Sequence, residues 1–274
     1  MSIIRHILFP CDFSEQCSLA VPFVRALASA FAAKVTLLTV TPETAPGQEE
    51  ATNEAPPHPE PVATQYFAGL AVESVAESGD PAQCILGFAD DNAIDLIMMP
   101  THGYALFRSL VIGSVTARVL HDAKCAVWTA THSEEQESAH TPRVILCAVD
   151  GSPKSLDLLR WAAAFSQQLG AELRVVHVAQ RISDAFALPG ERELQAQVND
   201  QARSTIESLL LSAGVQAPVR VEAGSIADIV TGAAEEESAD LIVIGRGTLQ
   251  GALGRLRTHA YAIIQKAPCP VLSV

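Results

Sequence analysis

Positive charge is scarce in this chain. Its 18 lysines and arginines stand against 31 aspartates and glutamates, a net charge of −13 at pH 7. Nucleic-acid surfaces need clustered cations to displace counterions from phosphates, so no nucleic-acid partner is expected. The deficit is steepest in the first 140 residues, which hold 6 basic and 17 acidic side chains. Solvated helix faces and an acidic loop account for it. No apolar run approaches the roughly 20 residues that would span a bilayer. The N-terminus shows neither the charged region nor the long apolar core of a signal peptide, so a cytoplasmic protein without a membrane partner is expected. The six cysteines, Cys11, Cys17, Cys84, Cys125, Cys147 and Cys269, include no CxxC pair. Most lie in apolar stretches, and buried, reduced thiols are the expectation. Cys11 and Cys17 with a histidine have no standard zinc spacing, so no metal site is expected. GxxxxGK[ST], HExxH and GxSxG are all missing, and nothing that remains assembles a nucleophile, a base and an oxyanion hole.

What the chain does contain, it contains twice. Ile7-Leu8-Phe9-Pro10-Cys11-Asp12-Phe13-Ser14 is matched by Ile145-Leu146-Cys147-Ala148-Val149-Asp150-Gly151-Ser152. Asp12 to Asp150 and Val40 to Val178 are both shifts of 138 residues, and later blocks repeat as well, Asp95-Leu96-Ile97 against Asp240-Leu241-Ile242. A period that long is a duplicated domain rather than a solenoid repeat. Domains are therefore expected over residues 1–130 and 143–274, with the polar, acidic stretch 131–142 as the linker.

Each half alternates short apolar runs with stretches of helical spacing. Ile3 to Phe9, Val35 to Val40, Leu96 to Met99 and Ala126 to Thr129 are continuous rather than alternating, which means burial on both faces and hence a parallel sheet with helices on each side. Val72 to Ser78 is half polar and reads as an edge strand. Val144 to Val149, Leu173 to Val178, Val219 to Glu222, Leu241 to Ile244 and Pro270 to Val274 repeat the set. Right-handed crossovers then require two tandem doubly wound α/β sheets, five strands in each. Ser152-Pro153 and Asp80-Pro81 read as N-cap and first helical residue, and Ser225 with Asp228 as a capping box. Pro22 predicts a kink in the first helix. The proline-rich stretch Thr41 to Pro61 reads as a loop.

The fourth apolar run of the first half leads into Pro100-Thr101-His102-Gly103, then nine residues, then Gly113-Ser114 opening a helix. Glycines admit an anion close to backbone amides, and a helix N-terminus adds unpaired N–H donors and a favourable dipole. Ser114 reads as the cap of that helix. On these residues, together with the Asp after the first strand in both halves, the chain resembles the universal stress protein family in its tandem two-domain form. The ATP-binding members carry Gly-x-x-Gly, nine residues, then Gly-Ser or Gly-Thr.

The resemblance implies a Rossmann-like fold of the adenine nucleotide alpha hydrolase-like kind. It also implies an ATP site, with Mg as the accompanying cation, formed by Pro10, Asp12 at the ribose, Val40 at adenine, and Pro100, Gly103, Gly113, Ser114 and Val115 at the phosphates. Pro100 departs from the motif, standing where the family has its first glycine. A weaker second site would use Asp150, Val178, Gly245, Gly247, Arg257 and Thr258. Arg257 replaces the glycine equivalent to Gly113, and either obstructs the phosphates or contacts them. Asp12 and Asp150 have a second reading as strand-ending helix caps. His102 has one as an exposed loop residue, and the cluster of Arg246, Arg255 and Arg257 reads as an anion site or as surface salt bridges. The implied function is a stress-response protein that binds ATP or a related adenine nucleotide in its first domain, with slow hydrolysis or autophosphorylation as the most activity to expect. The alternative is a tandem scaffold that acts through protein partners. Relatives with one domain dimerise through their last strand, so Ala126 to Thr129 and Pro270 to Val274 are expected to pair within the chain as a pseudo-dimer, leaving room for a homodimer of whole chains.

Overall fold

The computed structural model describes residues 3–41, 67–101, 112–130, 141–182, 190–246 and 255–274, without the side chains of residues 130 and 255–258. The proline-rich loop and most of the linker lie outside that set. The chain divides into two units, Met1–Thr141 and Pro142–Val274.

In the N-terminal unit, the elements run β1 (His6–Pro10), α1 (Glu15–Phe31), β2 (Lys34–Thr41), β3 (Val72–Ser78), α2 (Pro81–Asp91), β4 (Leu96–Pro100), α3 (Ser114–Asp122) and β5 (Ala126–Ala130). The C-terminal unit runs β6 (Val144–Val149), α4 (Ser155–Leu169), β7 (Glu172–Ala179), α5 (Glu191–Ala213), β8 (Val219–Ala223), α6 (Ile226–Glu236), β9 (Leu241–Ile244), α7 (Arg255–Lys266) and β10 (Val271–Ser273). Strands order as β3-β2-β1-β4-β5 in one unit and β8-β7-β6-β9-β10 in the other. The pairs within each unit are parallel. Both units are thus doubly wound α/β sheets.

The apolar runs lie where continuous hydrophobicity puts them. Ile7, Leu8, Phe9, Leu37, Leu38, Leu96 and Ile97 are wholly buried in the first unit, as are Ile145, Leu146, Cys147, Leu241, Ile242 and Val243 in the second. β3 has no buried residue, as an edge strand with alternating charge should not.

The repeated Asp-Leu-Ile has a structural role that the sequence reading did not assign. Asp95 Oδ2 accepts from the amides of Arg5 (2.8 Å) and His6 (3.1 Å). Asp240 Oδ2 accepts likewise from Arg143 (2.8 Å) and Val144 (2.9 Å). Each carboxylate ties the start of the unit's first strand to its neighbour β4 or β9.

Helix starts meet the expectations in part. Asp80 caps α2 by accepting from the Gln83 amide at 2.8 Å, with Pro81 in the first turn. Ser225 precedes α6 but makes no side-chain cap, hydrogen bonding to Asp228 instead. Ser152-Pro153 does not open α4. The Ser152 and Pro153 carbonyls accept from Ser155 and Leu156, forming a turn that delays the helix to Ser155. Pro22 does not divide α1, which runs from Glu15 to Phe31.

Candidate functional site

In both units the strand order reverses between the first strand and its β4 or β9 neighbour, and α/β sheets bind ligands at that switch point, beyond the carboxyl ends of the strands. In the N-terminal unit, β1 delivers Pro10, Cys11 and Asp12 to this end. The Cys11 amide donates to the Leu38 carbonyl at 2.9 Å, which keeps the strand end against β2. Asp12 is exposed, with Oδ1 accepting from the Ser14 amide at 3.0 Å. Ser14 in turn caps α1, accepting from the Cys17 amide at 3.2 Å. Between them Phe13 adopts φ of +59°, a left-handed conformation that costs a non-glycine residue about 1–2 kcal/mol. Val40, half-buried, lies at the same end of β2.

The pairing of β1 with β4 covers only Ile7↔Leu96 and Leu8↔Ile97, whereas β6 and β9 pair over four residues, up to Ala148↔Ile244. Pro10 explains the shorter ladder, since it lies on the parity of β1 that faces β4 and has no N–H to donate. Its counterpart Ala148 does, and pairs with Ile244. The first unit therefore opens earlier at the switch point.

Buried Pro100 is held in place by its carbonyl, which accepts from Thr116 Oγ1 at 3.2 Å. The Gly113 amide donates to the Thr101 carbonyl at 3.0 Å, so the loop between them starts and ends at one hydrogen bond. Both contacts set the N-terminus of α3 against the end of β4. Gly113, not Ser114, is the cap; it has no side chain to cover the first turn, and Ser114 is already helical and exposed. The amides of Ser114 and Val115 consequently have no intrahelical acceptor and face outward from a positive dipole end. Gly103 and His102 lie outside the described residues.

The C-terminal unit repeats the frame with different occupancy. Asp150 Oδ1 accepts from the Ser152 amide (2.9 Å) and from Ser155 Oγ (2.8 Å). Partial burial alone would raise this carboxyl, but the bonds from Ser152 and Ser155 outweigh it and hold the group below its ordinary value. Gly151 takes the left-handed position of Phe13, at φ of +76°, and faces His177, whose Nδ1 lies 2.9 Å from the Val149 carbonyl. Val178 is half-buried at the end of β7, and Gly245 is exposed beyond β9. Gly247 and the side chains of Arg255, Arg257 and Thr258 are outside the described set.

Beyond β7, buried Gln195 of α5 braces the chain. Its Oε1 accepts from the Ile182 amide (2.9 Å) and its Nε2 donates to the Gln180 carbonyl (3.0 Å). Sequence reasoning missed Gln195; its only signal is a polar residue on the inward stripe of an amphipathic helix.

The cysteines depart from the expectation of buried, reduced thiols in two respects: one pair is oxidised, and Cys84 and Cys125 are only half-buried. Cys11 and Cys17 form a disulfide, while Cys84, Cys125, Cys147 and Cys269 are free. Burial pushes the Cys147 and Cys269 thiols up to about 12, so both are inert near neutrality. Among the described residues no group of three or more His, Cys, Asp or Glu is arranged for a metal, and no helix is long and apolar enough to cross a membrane.

These features define a tandem Rossmann-like protein of the adenine nucleotide alpha hydrolase-like fold. The chain belongs to the universal stress protein family, whose profile matches residues 4–130 and again 142–274. A universal stress protein of Thermus aquaticus is 33% identical over 135 residues, covering 48% of this chain and 98% of that protein. The universal stress protein A homolog 1 of Coxiella burnetii is 31% identical over 135 residues, covering 47% of this chain and 94% of its own. The crystal structure of a universal stress protein from Archaeoglobus fulgidus shares the fold across 98% of this chain and 95% of its own, with a TM-score of 0.70 at 22% identity.

Proposed function

We propose that the N-terminal unit binds an adenine nucleotide, ATP above all, and that the protein works in the cytoplasm as a nucleotide-responsive stress module. The observation that carries this reading is the exposed Asp12 carboxylate at the carboxyl end of β1, beside the shortened β1–β4 pairing, in a unit whose α3 starts at a cap without a side chain. Asp12 accepts hydrogen bonds from the ribose hydroxyls. The backbone at Val40 reads the adenine edge, with Pro10 as part of the wall. The amides of Ser114 and Val115, approached across Gly113, take the phosphates, with Gly103 contributing from the loop, while Pro100 shapes the wall rather than donating. Magnesium travels with the triphosphate and neutralises part of its charge.

The C-terminal unit fits the scaffold reading better. Asp150 Oδ1 already accepts two internal hydrogen bonds, and Gln195 occupies the chain beyond β7. Under this reading Val178, Gly245, Gly247, Arg257 and Thr258 are remnants of a site, and the lobe serves protein partners.

Isothermal titration of the full chain with ATP tests both halves. One site is expected, weakened about tenfold or more by Asp12→Ala, since a charge-assisted hydrogen bond contributes ~1.5–3 kcal/mol. Asp150→Ala leaves it unchanged. Absence of binding at millimolar ATP would overturn the proposal in favour of a scaffold throughout.

A further inference from the structure

The disulfide does not lie at random. Cys11 ends β1 and Cys17 lies in the first turn of α1, with Cα atoms 5.8 Å apart, so the bond spans the loop that carries Asp12. Both residues are buried, at 4% and 1% exposure, which leaves exchange to openings of the loop. The duplication supplies an internal comparison. At the shift of 138 residues that relates Asp12 to Asp150, Cys17 falls on Ser155 and Cys11 on Val149. In the C-terminal unit the Ser155 hydroxyl donates to Asp150 at 2.8 Å. In the N-terminal unit the sulfur at that position is bonded to Cys11, and Asp12 Oδ1 keeps the Ser14 amide.

We propose that Cys11 and Cys17 form a reversible thiol–disulfide site that sets the nucleotide affinity of the N-terminal unit; the coupling rests on the nucleotide reading above. In the oxidised state the Cys17 sulfur is drawn away from the carboxylate, and the strained left-handed turn at Phe13 is cross-linked on both sides. Asp12 is then pre-positioned for ribose hydroxyls, and a pre-organised loop binds more tightly because less order is lost on binding. In the reduced state the Cys17 thiol lies where Ser155 lies, competing for the carboxylate, and the turn is free to relax.

The oxidant is a low-molecular-weight disulfide. When the loop opens, the Cys17 thiolate attacks it, forming a mixed disulfide and releasing one small thiol. The Cys11 thiolate then attacks the Cys17 sulfur of the mixed disulfide, expelling the second small thiol. Two protein thiols thereby lose two protons and two electrons, and the small disulfide gains them.

The test uses the full chain. Trypsin releases residues 6–25 as one peptide holding Cys11 and Cys17 and no other cysteine. After equilibration with oxidised glutathione and alkylation, this peptide is expected two hydrogens lighter and unalkylated. After a dithiol reductant it should carry two alkyl groups. Titration with ATP is expected to show about tenfold tighter binding by the oxidised protein. Cys17→Ser should hold the reduced-state affinity whatever the redox treatment, with Cys11→Ala as the check that the cross-link rather than one side chain matters. A peptide that stays doubly alkylated, or carries glutathione without closing the ring, overturns the site. A closed ring with equal ATP affinity in both states overturns the coupling. Failure of ATP to bind in either state removes the nucleotide reading and the coupling with it, while the peptide mass still decides the thiol pair.

Discussion

A left-handed residue follows the aspartate in both halves, and the two halves meet that demand with different chemistry. Gly151 takes φ of +76° without steric cost, whereas Phe13 takes +59° with a Cβ. Gly151→Ala is therefore expected to destabilise the C-terminal unit by about 1 kcal/mol, the penalty for an L-residue in that conformation. The new Cβ would also meet His177 Cε1 at 3.4 Å, ordinary contact that adds little. Urea denaturation followed by Trp161 fluorescence measures the shift. Asp150 makes a second prediction, about pH. Its folded-state pKa is depressed, so its contribution to stability is present above the unfolded value and is lost as pH falls through the folded one. Asp150→Asn should be less stable than wild type at neutral pH. The difference should begin to shrink below about pH 4, where the unfolded carboxyl protonates, and close once pH falls through the folded-state value; a constant difference across that range would remove the carboxylate from the explanation.

At the scale of elements, the site depends on how α3 is held. Thr116 lies in the first turn of the helix and donates to the Pro100 carbonyl, so a hydroxyl fixes the angle at which the uncapped helix start meets the end of β4. Thr116→Val preserves shape and removes that bond, leaving a buried carbonyl without its hydroxyl donor. A loss of about 1–2 kcal/mol is expected, with ATP binding weakened several-fold although no ligand-facing atom has changed. Thermal unfolding and calorimetry read the two effects. An unchanged affinity would mean that the helix start is positioned by something else. Strands were legible in sequence to within a few residues, because a buried parallel strand must be continuously apolar. Helix starts were less so. Ser152 looked like a cap and was not, because its carbonyl and that of Pro153 close a turn ahead of the helix, and Ser114 lost that role to Gly113.

For the whole molecule, each unit encloses its own core, and each contains one of the two tryptophans, Trp128 in the first and Trp161 in the second. Buried Trp128 packs against Phe23 with ring centroids 5.1 Å apart, while Trp161 stacks on Phe165 at 5.0 Å. If nucleotide binds the N-terminal unit, saturating ATP should raise the denaturation midpoint reported by Trp128 in a Trp161→Phe variant, by RT ln(1 + [L]/Kd). It should leave the midpoint reported by Trp161 in a Trp128→Phe variant where it was. Equal shifts would place the ligand elsewhere.

Some of this protein was written in local pattern alone. Apolar runs, the repeat of Asp12 as Asp150, and the glycines flanking the loop after β4 determined two parallel doubly wound sheets and the end at which a ligand would lie. These follow from periodicity and chain connectivity, which act over neighbouring residues. Tertiary structure decided what depends on distance between residues far apart or on a single backbone torsion. It joined Cys11 to Cys17 across a left-handed Phe13, turned the repeated Asp95 and Asp240 into ties on the first strands, and set Gln195 against the chain beyond β7. No residue spacing announces such pairs, because whether two side chains meet is settled only once the sheet and its helices have packed.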